Sequence, residues 1–342
     1  MIKTRLFTKF HILLAGLAVL LILAACGAGA LVPTRTPKLE PTITGPASTP
    51  TNPPSIDRET RIPASALKMS PAADAHPPQV LVAGYAKPIL VPGAVNTAGA
   101  EDSPFITPDG STLYFFFTPD VTVPVEKQLL DGVTGLYVSH KVDDQWGRPA
   151  RVVLQDPGKL ALDGCEFVQG NVMWFCSTRQ GYTGVHWFTA EYREGTWHDW
   201  KIADFNASYQ VGELHFSGDG SQLYFASDRP GGKGSLDIWV SNKASGEWQA
   251  PENVSAVNTQ DGEGWPALSP DGTELWLTRN YGLWRSKSLD YEWQTPEQII
   301  SPLAGEATLD SAGNVYFVHH YFKDDQMIEA DIYVAFRLPV LK

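Results

Sequence analysis

The 342-residue chain carries a formal net charge of −12, so its surface repels nucleic acid and anionic lipid headgroups. Aromatic residues make up 11% of the chain, with 11 Trp, which excludes wholesale disorder and requires a packed core. Its 3 Cys are too few for a disulfide-framed miniprotein or a cysteine-built zinc site. Residues 1–11 are basic, and Ile12 to Ala25 is an apolar run of 14 residues. A membrane-spanning helix needs about 20, so this run has the length of a signal-peptide core.

The run ends in Leu23-Ala24-Ala25-Cys26. This resembles the bacterial lipobox, with Leu three positions before the Cys and small residues between them. The resemblance implies cleavage before Cys26, a diacylglycerol on its thiol, and a membrane-anchored protein outside the cytoplasm, periplasmic or at the cell surface. Several acyl chains give stable anchoring, since each buried CH₂ contributes about 0.8 kcal/mol. Residues 32–54 hold 7 Pro and 6 Thr, an extended spacer between anchor and domain. Residues 55–80 show no clear period and read as linker or irregular packing. The expected division is 1–25 signal peptide, 26–79 lipidated Cys and linker, 80–342 folded domain.

Internal repetition dominates the remainder. Trp146-Gly-Arg-Pro149 recurs as Trp248-Gln-Ala-Pro251 and Trp293-Gln-Thr-Pro296, and Trp197-His-Asp-Trp200 is a copy without the Pro. The Trp spacings of 51, 51 and 45 residues match one four-stranded propeller blade, with the Trp read as the start of the fourth strand. An Asp-Gly turn before an aromatic strand keeps step. Asp109-Gly110 precedes LYFFF, Asp219-Gly220 precedes LYFAS and Asp271-Gly272 precedes LWLT. Weaker copies are Gly170-Asn171 and Gly313-Asn314. Gly and Asn supply the positive φ of tight hairpins. A further strand follows in each repeat, as in LDIWVSNK from Leu236 and ADIYVAFR from Ala330. The pattern predicts an all-β propeller of five four-stranded blades, with six as the alternative. The last blade lacks its fourth strand. Tyr85-Ala-Lys-Pro88 and the following Val95-Asn96-Thr97 match Trp248–Pro251 and Val257-Asn258-Thr259. Residues 85–92 are therefore expected to complete the last blade and protect its edge.

Residues 268–277, LSPDGTELWL, and 219–240, DGSQLYFASDRPGGKGSLDIWV, resemble the WD40-like propeller repeat of the TolB type. The resemblance covers about 85–342. It implies a propeller outside the cytoplasm used for binding or as an accessory module. The α/β domain that precedes the propeller in TolB is missing here, so a transport-complex role is not carried over.

Glu101, Glu166, Glu213, Glu263 and Glu306 recur near the start of each first strand, the strand that lines a propeller's channel. Such carboxylates suit a cation, Ca²⁺ above all, or acid/base work on a glycosidic bond. Glu101 and Glu263 lie eight residues before the Asp of their turn and Glu213 six before, so one ring is not assured. Arg179, Arg229 and Arg279 repeat after the second strand and read as structural ion pairs or turn supports. His319-His320 would point to opposite faces of a strand. No phosphate loop, nucleophile elbow or zinc-protease helix is present. The primary expectation is a membrane-anchored binding module for a glycan, peptide or protein, without nucleic acid and without an obligatory cofactor. Exposed aromatics around Trp174, Trp187 and Trp200 would stack on sugars. The alternatives are a carbohydrate hydrolase and a structural envelope scaffold. With Gly170-Asn171 as a two-residue turn, Cys165 faces Cys176, a geometry that suits a disulfide. Alkylation without reductant should therefore leave the intact mass unchanged; two labelled thiols would disprove the bridge.

Overall fold

The computed structural model describes residues 56–203 and 211–339. The expected anchor at Cys26 and the Pro/Thr-rich spacer lie outside these residues. Among the described residues no helix is long and apolar enough to cross a membrane. Among these residues helix is confined to single turns at Arg58–Arg61 and Val125–Gln128. The rest is antiparallel β-structure in a propeller-like array.

Five successive strand units follow one another. Unit 1 contains Ala100–Ile106, Thr112–Thr118 and Gly135–Val142. Unit 2 contains Ala161–Gln169, Val172–Arg179, His186–Arg193 and Thr196–Ile202. Unit 3 contains Leu214–Phe216, Gln222–Ser227 and Asp237–Ala244. Unit 4 contains Gly264–Leu268, Glu274–Arg279 and Gly282–Leu289. Unit 5 contains Ala304–Leu309, Val315–Lys323 and Gln326–Ala335. The first strands touch in cyclic order, unit 1 against 2, 2 against 3, 3 against 4, 4 against 5 and 5 against 1. Units 1 and 5 also share one sheet through the parallel pairing of Ala100 with Ala330.

Second strands are buried on both faces. Leu113, Phe115 and Phe117 point one way, Tyr114 and Phe116 the other, and all five are at most 8% exposed. Sheets lie on either side, so a continuous aromatic run replaces the alternation of a half-solvated strand. The Asp-Gly turns are held by the Asp side chain. Asp219 accepts hydrogen bonds from Ser217 Oγ at 2.6 Å, Ser221 Oγ at 2.7 Å and Ser221 N at 3.0 Å. These bonds, that from Ser217 first, pull its carboxyl down to about 2. Gly220 takes the φ of 69° that the turn requires.

The W-x-x-P repeat does not begin a fourth strand at the Trp, as the sequence suggested. Gln145–Trp146 forms a short hairpin with Lys141–Val142, and only after Pro149 does Ala150–Arg151 pair with Tyr137–Val138. Proline has no N–H to give the ladder, so it divides the outer strand in two. Unit 2, whose copy ends in Trp200 in place of Pro, keeps an unbroken outer strand, Thr196–Ile202. Its hairpin turns at Glu194-Gly195, both with positive φ, as a type I′ turn demands.

The segment before residue 100 is bound along three units. Ile89–Leu90 pairs with Tyr333–Val334 of unit 5, inside the 85–92 stretch expected to do so. Asn96 brackets Ile332, accepting from its N–H and donating to its C=O, each at 2.9 Å. Asn258 does the same to Ile238 of unit 3, each at 2.8 Å. The matching Val-Asn-Thr tripeptides therefore make matching joints between units. Gln79–Val80 pairs with Ile300–Ser301 at the outer edge of unit 4. Upstream, in residues assigned to the linker by sequence, Lys68 pairs with Glu329 and Asp331 of unit 5. Arg58 is only 4% exposed, pairs with Glu101 at 3.0 Å, donates to Val95 O at 2.5 Å, and lies over the rings of Phe115, Phe117 and Tyr137.

Removing one partner of a buried ion pair leaves the other charge uncompensated, at a cost of about 3–5 kcal/mol. Arg58→Met should therefore lower the unfolding free energy in urea by that order, and adding Glu101→Gln should recover part of the loss. A change below about 1 kcal/mol in Arg58→Met would mean that the segment is not held this way.

Candidate functional site

Four of the five first strands share one irregularity. Ser103-Pro104 oppose the single Phe115, because Asp102 pairs with Phe116 and Phe105 with Tyr114. The same extra residue occurs at Cys165-Glu166, Trp265-Pro266 and Glu306-Ala307. Its first member is left-handed each time, with φ of 47° at Ser103, 56° at Cys165, 51° at Trp265 and 58° at Glu306. This is a β-bulge, which resets the side-chain alternation of the strand beyond it. Glu213, six residues before its turn Asp, holds the corresponding position in unit 3.

The bulge divides the five recurrent glutamates. Glu101 and Glu263 precede it and are fully buried between sheets. Glu263 meets Arg279 at 2.7 Å, and Asp163 of unit 2 meets Arg179 at 2.7 Å. Arg279 stacks on Trp284 and Arg179 on Phe188. Unit 1 has Phe117 where unit 4 has Arg279, and Arg58 supplies the guanidinium from the upstream segment. Unit 5 has His319 there, 2.8 Å from Asp74. Burial raises the Glu101 carboxyl to about 7 against the opposing pull of Arg58. These acids belong to structural pairs.

Glu166, Glu213 and Glu306 instead line a core cavity of about 50 Å³, together with Ser103, Cys165 and His215. Ser103 Oγ donates to Glu306 Oε2 at 2.6 Å. Both carboxylate oxygens of Glu166 are buried without a hydrogen-bond partner, and the residue is 7% exposed. Desolvation raises all three carboxyls, Glu213 to about 7, and each is pushed further by neighbouring acids. The charges acting on Glu306 are those of Asp102, Glu213 and Glu166. Burial holds His215 down, to about 4, so it is neutral.

Two members escaped the glutamate pattern. Asp102 sits seven residues before its turn Asp, where the other units carry Gly164, Gly212, Gly264 and Gly305. That lone side chain among glycines was the available signal. His320 Nε2 lies 3.9 Å from Asp102 Oδ1 while His319 faces the other way toward Asp74, as strand alternation requires. Asp324-Asp325, near the two His in sequence, form a turn with φ of 51° and 62°.

Cys165 and Cys176 are joined by a disulfide. The register differs from the simple hairpin reading: Gly164 is the residue paired with Cys176, and Cys165 is displaced into the bulge. Of the aromatics suggested for sugar stacking, Trp187 is 5% exposed, and Trp174 and Trp200 pack against the same hydrophobic cluster. The arrangement thus offers carboxylates, one serine hydroxyl and neutral imidazoles in a narrow apolar core.

No protein-family model and no curated protein matches the chain. Solved structures similar to it include a protein of unknown function from Dyadobacter fermentans, with TM-score 0.47 and 11% identity over 75% of this chain and 100% of that one. An endo-arabinase from Bacteroides thetaiotaomicron gives TM-score 0.46 and 13% identity over 73% and 98%. A putative TolB from Agrobacterium tumefaciens gives 0.40 and 13% over 71% and 92%. Likeness this distant says nothing about function.

Glu166 and Glu213 have folded-state pKa values raised above the ordinary 4.5. The folded state therefore holds these protons more tightly than the unfolded chain. Their favourable contribution is complete below about pH 4.5; that of Glu213 is lost as pH rises through about 7, and that of Glu166 is lost in the same direction. In chelator-treated protein the unfolding free energy should fall between pH 5 and pH 8, by roughly 1–3 kcal/mol. Glu166→Gln and Glu213→Gln should each flatten that slope in urea titrations. A stability that rises over this window would contradict the assignment.

Proposed function

We propose that the chain is a lipid-anchored, extracytoplasmic five-bladed β-propeller that serves as a binding module for a glycan, peptide or protein partner. The cyclic order of first-strand contacts supports five blades. The joints made by Ile89–Leu90 and Asn96 on unit 5 support closure by the N-terminal strand. The lipobox at Cys26 and the Pro/Thr-rich spacer support display on a membrane.

One observation favours binding over hydrolysis. The carboxylates that converge do so around a cavity of about 50 Å³. Small-molecule pockets run from roughly 300 Å³ upward. A sugar ring positioned between an acid and a nucleophile does not fit there, so a partner would meet the outer loops and strand edges. Glu263, eight residues before its turn, is committed to Arg279 and makes a poor catalytic candidate.

The full lipoprotein, purified in detergent, should retain a partner from envelope extract or on a glycan array, and Cys26→Ser should move it from the membrane to the soluble fraction. Absence of any retained partner in both assays would remove the binding reading in favour of a scaffold. Turnover of a chromogenic glycoside that disappears in Glu213→Gln would replace it with the hydrolase.

A further inference from the structure

The core carboxylates present an electrostatic problem that the fold does not resolve by itself. Three acidic side chains line one small cavity, and Asp102 acts on all of them. An unpaired charge in a low-dielectric interior costs several kcal/mol. Elsewhere several buried acids are answered by a base: Arg58 for Glu101, Arg179 for Asp163, Arg279 for Glu263, Lys68 for Asp331. The core group breaks that habit, although the same first strands build it.

Donor atoms from Asp102, Glu306 and His320 all lie within 4.8 Å of one another. Two ligand atoms each about 2.0–2.2 Å from one ion lie at most about 4.4 Å apart, so a small inward movement of these side chains seats an ion. The separation of 3.9 Å between His320 Nε2 and Asp102 Oδ1 is too long for a hydrogen bond and short enough for two ligands of one ion. Ser103 Oγ, bonded to Glu306 Oε2, fixes that carboxylate in the manner of an outer support to a metal ligand. Independently of this triad, Glu166 lines the cavity that Glu306 also lines, is more than nine-tenths buried, and has neither oxygen partnered. Its two free acceptors match waters carried by an ion. The sole carboxylate at a position held elsewhere by four glycines completes the picture.

We propose that Asp102, Glu306 and His320 bind a divalent transition-metal cation, Zn²⁺ or Mn²⁺, at the centre of the array, with Glu166 and Glu213 accepting hydrogen bonds from its waters. An imidazole nitrogen beside two carboxylates suits these ions better than Ca²⁺, which takes an all-oxygen set. The ion ties unit 1 to unit 5, since Asp102 belongs to the first and both other ligands to the second. This inference goes beyond the binding-module reading and does not depend on any partner: loss of metal binding leaves the partner assays unchanged, and the reverse also holds.

The test uses the full chain in detergent, stripped with chelator and reloaded with Zn²⁺, Mn²⁺ or Ca²⁺ alone. Elemental analysis after gel filtration should find one Zn²⁺ or Mn²⁺ per chain, with a matching rise in melting temperature. Asp102→Asn, Glu306→Gln and His320→Gln should each lower the affinity at least about 10-fold. The metal-free Glu306→Gln protein should melt no lower than the metal-free parent, because a buried charge has been removed, which separates ligand loss from misfolding. Absence of stoichiometric metal together with an unchanged melting temperature overturns the proposal. So does metal retained in all three variants, or a site that takes Ca²⁺ in preference to Zn²⁺ and Mn²⁺.

Discussion

The β-bulge in the first strand is the constraint on which the rest of the molecule depends. One extra residue in a left-handed conformation opposes a single residue of the second strand. Before it, alternate side chains enter the space between sheets; after it, they turn toward the common centre. The recurrent glutamates divide at that shift: those before it meet arginines, and those at it meet other carboxylates. Glu101, Asp163 and Glu263 fall on one side of it and are paired. Glu166 and Glu306 fall in it, Glu213 holds the corresponding position in unit 3, and all three line the cavity.

The paired acids explain a second feature, the use of chain from outside a unit to finish that unit. Arginine at the end of the second strand serves units 2 and 4 from within. Unit 1 has a phenylalanine there and borrows Arg58; unit 5 has a histidine and borrows Asp74. The joint is conserved in geometry while its components come from different stretches of sequence. Aromatic faces accompany the guanidinium in each arginine case, so the desolvated cation is held by rings as well as by its carboxylate.

Much of this was legible in the residues. The Trp spacing, the Asp-Gly turns and the aromatic runs located the strands of all five units, and Val95-Asn96-Thr97 against Val257-Asn258-Thr259 foretold a joint later seen at Ile332 and Ile238. The role of Trp in the repeat was misread because proline's effect on a ladder depends on where the preceding hairpin ends. The offset of eight against six residues hinted that the glutamates were not equivalent. A bulge has no composition of its own, however, so the offset could not be turned into directions in space. Residues 56–80 gave nothing, since an isolated arginine that completes a distant unit leaves no period to detect.

The course of that upstream segment also governs how the domain would carry tension. Arg58 grips unit 1, Lys68 and Asp74 grip unit 5, and Gln79–Val80 zips to the rim of unit 4. A pull arriving along the chain before Ile56 meets these fastenings one after another. The first to be loaded is a buried ion pair resisting in shear. The last is a short ladder of backbone bonds that can be peeled. The segment is thus wound around the edge of the body like a rope around a bollard, so a tug is spread over three units before it reaches the strands of any one.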